Sequence, residues 1–375
     1  MFKPAGIVFF VALLLLAGCA TAPRDNSAPA PDWAETNGAA QPPVFHPVPP
    51  VPAGVKTNLP PVVRTNPPPV KVLRPAPILT WTSLNRWAAG QKLAAPRKLA
   101  NSPVTAYSVA SPNGVLVLAI GSREVTWNGV ELHLGFAPEF IDDQVFVHGL
   151  DLQKNLEPLL LNEPLAFGTN RVLVLDPGHG GINVGTHSVV DGRFEREFTL
   201  DWARRIRSLL ETNGWQVFLT RTNDTDISLS NRVAFAEARH ADVFVSLHFN
   251  SAAPDKKQAG LETYYLTPTG MPSTLTRGYS DLWSEHFANN AFDEANLQLA
   301  VRLHAALLRA TGEEDRGVRR ARFMGVLQGQ HRPAVLIEGG YMSNPREAEK
   351  IETAAFRQKL AEAVAGALQQ NENGK

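Results

Sequence analysis

From residue 171 onward, short apolar runs alternate with longer segments whose apolar residues recur every three or four positions. The runs predict buried strands at "RVLVLD", "WQVFLTR", "DVFVSLHFN", "LETYYLT" and "AVLIEGG". In "EREFTLDWARRIRSLLETNG", Phe198, Trp202 and Ile206 lie on one stripe, which predicts a helix; "SLSNRVAFAEARHA" and a segment near 294–311 predict two more. This alternation favours an α/β fold, with a mainly parallel sheet covered by helices on both faces.

Residues 79–165 carry shorter β-rich runs, among them "VLVLAI", "REVTW", "VELHL" and "QVFVHG", and end in the helix-like "LDLQKNLEPLLL". The Asn128-Gly129 pair between two of the runs predicts a hairpin. The segment is therefore predicted to be a small β-rich α+β domain. It resembles the N-terminal domain named after copper amine oxidases, without implying a copper site, and His133 and His148 are interpreted as ordinary strand residues.

The N-terminal stretch "MFKPAGIVFFVALLLLAGCATAP" has a basic start, an apolar run and a small-residue exit, which is typical of an export signal. The run is shorter than the about 20 apolar residues that a membrane span needs. The segment before Cys19 resembles a bacterial lipobox. We therefore expect residues 1–18 to be a lipoprotein signal peptide and Cys19 to be lipidated. Ala20 favours the outer membrane, with the protein facing the periplasm. The alternative is an ordinary cleaved signal that contains a cysteine.

Residues 19–78 are interpreted as a linker, because the stretch 21–80 holds 16 of the chain's 29 prolines. Such a segment favours an extended polyproline II conformation of about 3.1 Å per residue. It would hold the following domains away from a membrane surface.

Charge and cysteine content exclude several classes of protein. Lys and Arg number 36, as do Asp and Glu, so the formal net charge of zero gives no electrostatic case for nucleic-acid binding. With Cys19 as its only cysteine, the chain has no disulfide framework, no cysteine-rich zinc site and no downstream cysteine nucleophile.

Three of the predicted strands end in a side chain that can do chemistry: His179, His248 and Glu338. Glu195 begins the first helix on the same side of the sheet, and ligands of open α/β sheets gather where the strands end. Two histidines and one carboxylate with an open position form a catalytic zinc site, while a second carboxylate shuttles a proton. These residues alone leave open which glutamate binds metal, with His187 and His240 as weaker rival ligands.

The glycine-rich loop after "RVLVLD" is not a nucleotide-binding loop. The G-x-G-x-x-G pattern that starts at Gly178 fails, because Asn183 occupies its third glycine position. The chain also lacks G-x-x-x-x-G-K-[ST], H-E-x-x-H and G-x-S-x-G motifs. Glycines in this loop instead allow a sharp turn and a close approach of substrate to a metal.

Five motifs follow one another in the order and spacing of a known family: "VLVLDPGHGG", "EREFTLDWARRI", "LTRTNDTDISLSNRVAFA", "ADVFVSLHFNS" and "DRGVRRARFMGVLQGQHRPAVLIEGGYMSNPREA". Over 171–370 the chain resembles the zinc-dependent N-acetylmuramoyl-L-alanine amidases that cleave bacterial cell wall. The resemblance implies zinc as the cofactor, with His179, Glu195 and His248 as its ligands and Glu338 as the catalytic carboxylate. Asn183 departs from the family's usual first loop.

The resemblance implies a peptidoglycan hydrolase that cleaves the amide between N-acetylmuramic acid and the L-alanine of the stem peptide. The alternatives are a catalytically idle cell-wall-binding lipoprotein and a zinc peptidase or deacetylase acting on peptidoglycan. The expected partners are peptidoglycan, the membrane through the lipid anchor, and an activator protein.

Two further expectations concern substrate and control. Asn250 and Arg319 are predicted to contact substrate, and four arginines are expected either to meet stem-peptide carboxylates or to form a solvated face: Arg316, Arg319, Arg320 and Arg322.

The long insertion "PTGMPSTLTRGYSDLWSEHFANNAFD" is expected either to form a partial lid or to be surface decoration. Some amidases of the family cover their zinc with a helix in an insertion, and Leu282, Trp283 and Phe287 would form one apolar face on a short helix here.

Overall fold

A computed structural model describes residues 81–100, 104–167 and 171–369. The expectations for the signal peptide, for Cys19 and for the whole proline-rich linker of residues 19–78 lie outside the described residues. None of the helices within those ranges has both the length and the apolar character needed to cross a membrane.

In chain order the strands are β1 (Trp81–Ser83), β2 (Arg97–Ala100), β3 (Ala106–Ser111), β4 (Gly114–Ala119), β5 (Glu124–Trp127), β6 (Val130–His133), β7 (Glu139–Ile141), β8 (Gln144–His148), β9 (Val172–Pro177), β10 (Gln216–Leu219), β11 (Val243–Asn250), β12 (Leu261–Leu266), β13 (Asp315–Ala321) and β14 (Ala334–Tyr341). Each of the nine predicted runs forms a strand, whereas β1, β2, β3, β7 and β13 were not predicted. The predicted hairpin between β5 and β6 is confirmed. Its turn residues Asn128 and Gly129 both have positive φ, as a tight type I′ turn requires.

The helices are α1 (Leu84–Gly90), α2 (Gly149–Asp151), α3 (Glu157–Leu160), α4 (Glu195–Glu211), α5 (Leu229–Ala238), α6 (Asp293–Thr311), α7 (Gly325–Gln328), α8 (Pro345–Glu352) and α9 (Ala354–Gln369). A π-helical turn at Leu152–Leu156 joins α2 to α3, and a 3₁₀ turn at Ala288–Phe292 precedes α6. The helices predicted at 195–214, at 228–241 and near 294–311 are confirmed as α4, α5 and α6.

The second half of the chain contributes six neighbouring strands in the order β10-β9-β11-β14-β12-β13. Adjacent strands run parallel except for β14 and β12, which are antiparallel. Strands and helices alternate along this half, so the predicted α/β class is confirmed. The antiparallel β12 brings "LETYYL" next to "AVLIEGGY", two segments that lie more than 60 residues apart in the sequence.

Alternate residues of the central strands point to opposite faces, and each face has its own core. On one face Leu173 and Val245 pack with the buried stripe of α4 and with α6 and α9. On the other face Val174, Phe244 and Leu336 pack with α5 and α7. Burial on both faces explains why every residue of β9, β11, β12 and β14 is buried. The even-numbered positions of β11 and β14, which include His248 and Glu338, belong to the α5 and α7 face.

The first half of the described chain forms an antiparallel meander, β6-β5-β4-β3-β2, and a small sheet, β1-β8-β7. The meander joins the second half, because β6 pairs in parallel with β13 at Leu132 and Val318. The backbone N–H of Glu131 also donates to the Asp315 carboxylate at 2.9 Å. Eleven strands of the described ranges therefore form one continuous sheet.

Candidate active site

Four predicted site residues come from elements that end at one edge of the sheet. His179 lies in the turn after β9, and Glu195 is the first residue of α4. His248 lies on β11, where its Cα pairs with that of Glu338 on the neighbouring strand β14. All four side chains are buried, with Glu195 and Glu338 each only 1% exposed. The structure thus gathers side chains that are separated by as many as 159 positions in the sequence.

Glu195 bridges the two histidines. Its Oε2 lies 3.0 Å from His179 Nε2, and its Oε1 lies 3.0 Å from His248 Nδ1. The imidazole rings are nearly perpendicular, with centroids 4.9 Å apart. Ligand atoms from the three residues all lie within 4.8 Å of one another. Backbone N–H groups of Thr186 and Phe249 donate to the same carboxylate at 3.1 and 3.0 Å and hold its orientation.

Two glycines leave room for this group. A Cβ on Gly178 would lie 2.2 Å from His248 Cε1, and a Cβ on Gly185 would lie 2.5 Å from Glu195 Oε2. Gly185 also has φ of +71°, a conformation that other residues rarely adopt. These glycines of the first loop are therefore needed for close packing around the histidines.

Glu195 and His179 each stabilise the charged form of the other. Burial raises the pKa of Glu195, but His179 and His248 lower it more, and the net pKa lies well below the ordinary value. Burial lowers the pKa of His179, yet the Glu195 carboxylate raises it to above its ordinary value. For His248, burial is the stronger effect and the pKa is lowered. The carboxylate is thus held ionised, which is the form that binds a cation.

The donor set suits a divalent metal, and zinc in particular. Two imidazole nitrogens and one carboxylate oxygen are the ligands of a common catalytic zinc site. One donor atom from each of the three residues lies within 4.8 Å of the other two. His179, Glu195 and His248 are therefore close enough together to bind one metal ion.

Two arginines hold the backbone of the loop that carries His179. Arg232 forms a buried ion pair with Asp176 and donates to the carbonyls of Pro177 and His179 at 2.9 and 2.8 Å. Arg221 donates to the carbonyls of Pro177 and Gly178 at 2.9 and 2.8 Å. His179 has φ of +62°, a conformation that costs a non-glycine residue about 1–3 kcal/mol. The guanidinium groups hold the loop in this strained geometry.

Asn183 orients the imidazole of His179. Its side-chain Oδ1 lies 2.8 Å from His179 Nδ1, while Nε2 faces Glu195. An acceptor at Nδ1 favours the tautomer that leaves Nε2 available as a ligand. Asn183, where this chain departs from the usual first loop of the family, therefore orients His179 for metal binding.

Glu262 extends the row of functional side chains by one strand. Its Cα pairs with that of Glu338 across β12 and β14, so His248, Glu338 and Glu262 lie side by side on one face. Glu262 Oε1 accepts hydrogen bonds from Arg319 Nη1 at 2.8 Å and from Arg316 Nε at 3.0 Å. The arginines balance the desolvation of this buried carboxylate, and its pKa stays below the ordinary value.

The two predicted substrate contacts both bind Glu262. Asn250 Nδ2 donates to Glu262 Oε2 at 2.8 Å, while Asn250 Oδ1 accepts from the backbone N–H of Ser251 at 2.9 Å. Asn250 is only 3% exposed. Arg319 is partly exposed and lies on the same face of the sheet as Glu338. The structure thus assigns internal hydrogen bonds to Asn250, and a contact of either residue with substrate stays a prediction.

The four arginines do not form one surface, so the expectation of a common role is wrong. Successive residues of a strand point to opposite faces. Arg320 points away from Glu338 and donates to the carbonyl of His133 at 2.5 Å. Arg322 forms a buried ion pair with Asp281 and donates to the carbonyl of Met271 at 2.9 Å. Arg320 thus holds the first half of the chain in place, and Arg322 holds the insertion in place.

The insertion between β12 and α6 contains no helix at Leu282, Trp283 and Phe287, so the expected amphipathic helix is wrong. Leu282 is 53% exposed, and Trp283 packs edge-on against Phe136 with ring centroids 5.9 Å apart. Side-chain bonds replace helical ones, because both carboxylate oxygens of Asp281 accept from Ser273. That the insertion acts as a lid stays a prediction.

Among the described residues, no histidine other than His179 and His248 joins the site. His187 and His240 are exposed and lie outside the group formed by His179, Glu195 and His248. Glu124, Glu131 and His133 approach one another on the meander, but burial and neighbouring arginines lower the pKa of His133 to about 3. That positive surrounding disfavours a cation.

Sequence reasoning missed Asp176, Arg232, Arg221 and Glu262. The position of Asp176 directly before the loop in "VLVLDPGH" was the available signal for the first of them. Arg232 and Arg221 contact the site through backbone carbonyls, and Glu262 lies beside Glu338 because of the strand order. No local sequence pattern therefore indicates any of the three.

Comparison with known proteins identifies the family of the chain. Residues 173–370 match the N-acetylmuramoyl-L-alanine amidase domain family. The N-acetylmuramoyl-L-alanine amidase AmiC of Escherichia coli O6:H1 is 32% identical over 237 residues, which cover 57% of this chain and 56% of AmiC. AmiA of Escherichia coli K12 is 32% identical over 219 residues, which cover 53% of this chain and 75% of AmiA.

The solved catalytic domain of CwlV, an N-acetylmuramoyl-L-alanine amidase from Paenibacillus polymyxa var. colistinus, is 30% identical; the match covers 55% of this chain and 99% of that domain, with a TM-score of 0.45. The chain spans about half the length of AmiC. The family match includes all four site residues and more than half of the chain. The chain therefore belongs to the N-acetylmuramoyl-L-alanine amidase family of hydrolases.

Proposed function

We propose that the chain hydrolyses the amide bond between N-acetylmuramic acid and the L-alanine of the peptidoglycan stem peptide, with zinc as its cofactor. The observation that carries the proposal is the convergence of His179, Glu195 and His248 beside Glu338, in a chain that belongs to this family. A pure wall-binding protein would have no need for this arrangement of donors.

His179, Glu195 and His248 would hold the zinc, and the bound ion supplies Lewis acidity that activates water and polarises a carbonyl. Glu338 takes a proton from the attacking water and returns it to the nitrogen of the departing L-alanine. Arg232 and Asn183 keep His179 in its ligating orientation. The buried setting of Glu338 strengthens its interactions with charge that develops in the transition state.

The bond that is cut tests this reaction. Digestion of purified sacculi should release peptides with a new N-terminal L-alanine and leave muramic acid with a free lactyl carboxyl group, both measured by mass spectrometry. Release of peptides with a different N-terminus would indicate a peptidase, and loss of acetate would indicate a deacetylase. Binding to sacculi without any product would indicate an idle wall-binding protein.

We further propose that the protein acts in the cell envelope, attached to a membrane through lipid on Cys19 and facing the periplasm. The support is the lipobox-like sequence before Cys19 and the presence of the proposed substrate in that compartment. Ala20 favours the outer membrane. The proline-rich residues 19–78 would let the enzyme reach the wall from its anchor.

Cys19→Ala should abolish incorporation of labelled fatty acid and move the protein out of the lipidated membrane fraction. Stable attachment needs more than one acyl chain, and the lipidated cysteine would supply them. Labelled cells, fractionation and intact mass measure the result, with Ser27→Ala as a control in the same segment. Unchanged membrane partitioning without lipid mass on Cys19 would contradict the lipobox interpretation.

A further inference from the structure

A cleft opens beside the two histidines of the site, on the face of the sheet that carries α5 and α7. It has a volume of about 320 Å³, which falls in the range of about 300–1,000 Å³ that is typical of sites for small ligands. His179 and His248 line one end of this cleft, whereas Glu338 does not line it. The cleft therefore meets the candidate metal group on a side other than that of Glu338.

The walls of the cleft are mainly apolar, with polar groups at the rim. The apolar side chains come from the first loop, the start of α5, the start of α7 and β14: Ile182, Ile227, Leu229, Met324, Val326 and Leu336. Asp226 and Ser228 also line the cleft and are exposed. Asp176 and Arg232 line it too, but they form an ion pair with each other. An apolar cleft with a few polar groups is the usual form of a site for a small organic ligand.

Two apolar side chains of the lining are exposed to solvent. Ile182 is 91% exposed on the first loop, and Leu229 is 40% exposed at the first residue of α5. A Cβ on Gly325 of α7 would lie 3.0 Å from Leu229 Cδ1, so this glycine leaves room for Leu229 between α5 and α7. A ligand that covered Ile182 and Leu229 would remove apolar surface from water, which favours binding.

Hydrogen bonds hold the loop that carries Ile182. On either side of Ile182, the backbone N–H of Gly180 donates to the carbonyl of Asn183 at 2.7 Å, and that of Asn183 donates back at 3.2 Å. The backbone N–H of Gly181 donates to Asp224 Oδ1 at 2.7 Å. A Cβ on Gly180 would lie 2.2 Å from a backbone oxygen of the segment before α5, so the loop packs directly on that segment. This wall of the cleft is thus formed before a ligand binds, which lowers the cost of binding.

The strand order determines the direction in which a bound substrate lies. Glu338 is on β14, His248 is on the neighbouring β11, and His179 follows β9, the next strand. The cleft continues this row, since Asp226 and Leu229 belong to the chain that follows β10, the strand beyond β9. In the proposed reaction the amide nitrogen faces Glu338, which returns a proton to it, while the carbonyl lies at the histidines. The acyl part of the amide therefore extends away from β14 and into the cleft.

We propose that this cleft is the subsite for the N-acetylmuramic acid residue, with Ile182 and Leu229 against the sugar ring and its N-acetyl methyl group. This inference rests on the proposed function and names the residues that determine specificity on the acyl side of the bond. The sugar matches the lining, because it joins an apolar methyl group to hydroxyl groups that Asp226 and Ser228 can bind at the rim. Ile182 and Leu229 thus contact substrate and take no part in proton transfer.

The test compares two soluble substrates with the same scissile amide and the same stem peptide: an N-acetylmuramoyl-peptide, and a lactoyl-peptide that lacks the sugar. For the zinc-loaded protein, Ile182→Ala should lower kcat/KM for the N-acetylmuramoyl-peptide by about 5- to 30-fold, the size expected for the loss of a few apolar contacts. The same variant should change kcat/KM for the lactoyl-peptide by less than about twofold, because that substrate has no ring to contact. Leu229→Ala should show the same discrimination.

Ile141→Ala and Leu99→Ala are the matched controls, because they remove the same side chains at exposed positions on β7 and β2. Neither control should change kcat/KM for either substrate. Zinc content and the melting temperature establish that each variant is folded and loaded. An equal loss on both substrates in Ile182→Ala and Leu229→Ala would overturn the proposal, as would no loss on either substrate.

A cross-linking probe locates the sugar without relying on turnover. An N-acetylmuramoyl-peptide with a photoreactive diazirine in its N-acyl group should label Ile182 or residues 226–229 of the zinc-loaded Glu338→Gln variant, as identified by mass spectrometry. Labelling of Glu262 or Arg319 instead would place the sugar on the opposite side of Glu338 and overturn the subsite, while the amidase function stands. If the wild-type enzyme releases L-alanine-ended peptide neither from the soluble substrates nor from sacculi, the proposed function itself fails.

Discussion

Glu338→Gln is expected to lower turnover by about 10²–10⁴-fold while zinc stays bound, the range for loss of general acid–base catalysis. Glutamine keeps the size of the side chain but cannot exchange a proton. The effect should appear in kcat more than in KM, since the proton transfers occur in the transition state. Steady-state rates on purified peptidoglycan and elemental analysis of the same preparation measure the two properties together.

Glu195→Gln is the informative counterpart, because it changes the carboxylate that bridges His179 and His248. The main expected effect in this variant is a weaker affinity for zinc. Glu349→Gln, exposed on α8, controls for the loss of a negative charge. If Glu338→Gln lost zinc and Glu195→Gln kept it, the roles of the two carboxylates would be exchanged.

His179→Ala and His248→Ala are each expected to remove stoichiometric zinc and to lower activity by about 10³-fold or more, since the ion supplies several kcal/mol of transition-state stabilisation. Most of the fold should remain, because the cores on both faces of the sheet do not depend on these side chains. Elemental analysis, circular dichroism and activity measure the three properties.

Wild-type protein stripped by a chelator should match these histidine variants in activity and recover when zinc is returned, whereas the variants should not. His331→Ala, an exposed position with a 3.4 Å contact to Glu237, is the control and should bind zinc normally. Full zinc in both His179→Ala and His248→Ala would contradict the assignment of the ligands.

The site could be predicted from sequence to the extent that it lies where strands end. His179, His248 and Glu338 each end an apolar run, and the carboxyl ends of neighbouring strands meet at one edge of a sheet. Glu195 begins a helix on the same side of the sheet, but an acidic residue there can also simply favour the helix dipole. Its role as a metal ligand was therefore implied only by the family resemblance.

The position of Glu262 and the course of the insertion could not be predicted in this way. Glu262 lies next to Glu338 because β12 enters the sheet antiparallel between β14 and β13, and strand order is a property of the whole chain. The insertion folds back onto β13 because the Thr274 hydroxyl donates to the backbone of Arg320, while the backbone of Ser273 donates to Asp281. The apolar spacing of Leu282 and Trp283 suggested a helix, but these side-chain bonds compete with helical hydrogen bonding.

The pairing of β6 with β13 determines where strands from a second molecule could add to the large sheet. An unpaired edge is a template for association and aggregation, and a neighbouring strand removes that hazard. Because β6 covers β13, the arginine-bearing strand beside the active site is shielded from such addition. Within the described ranges, the open edges of this sheet are β10 and β2, and Arg97 and Lys98 place like charges along β2 that disfavour edge-to-edge contact.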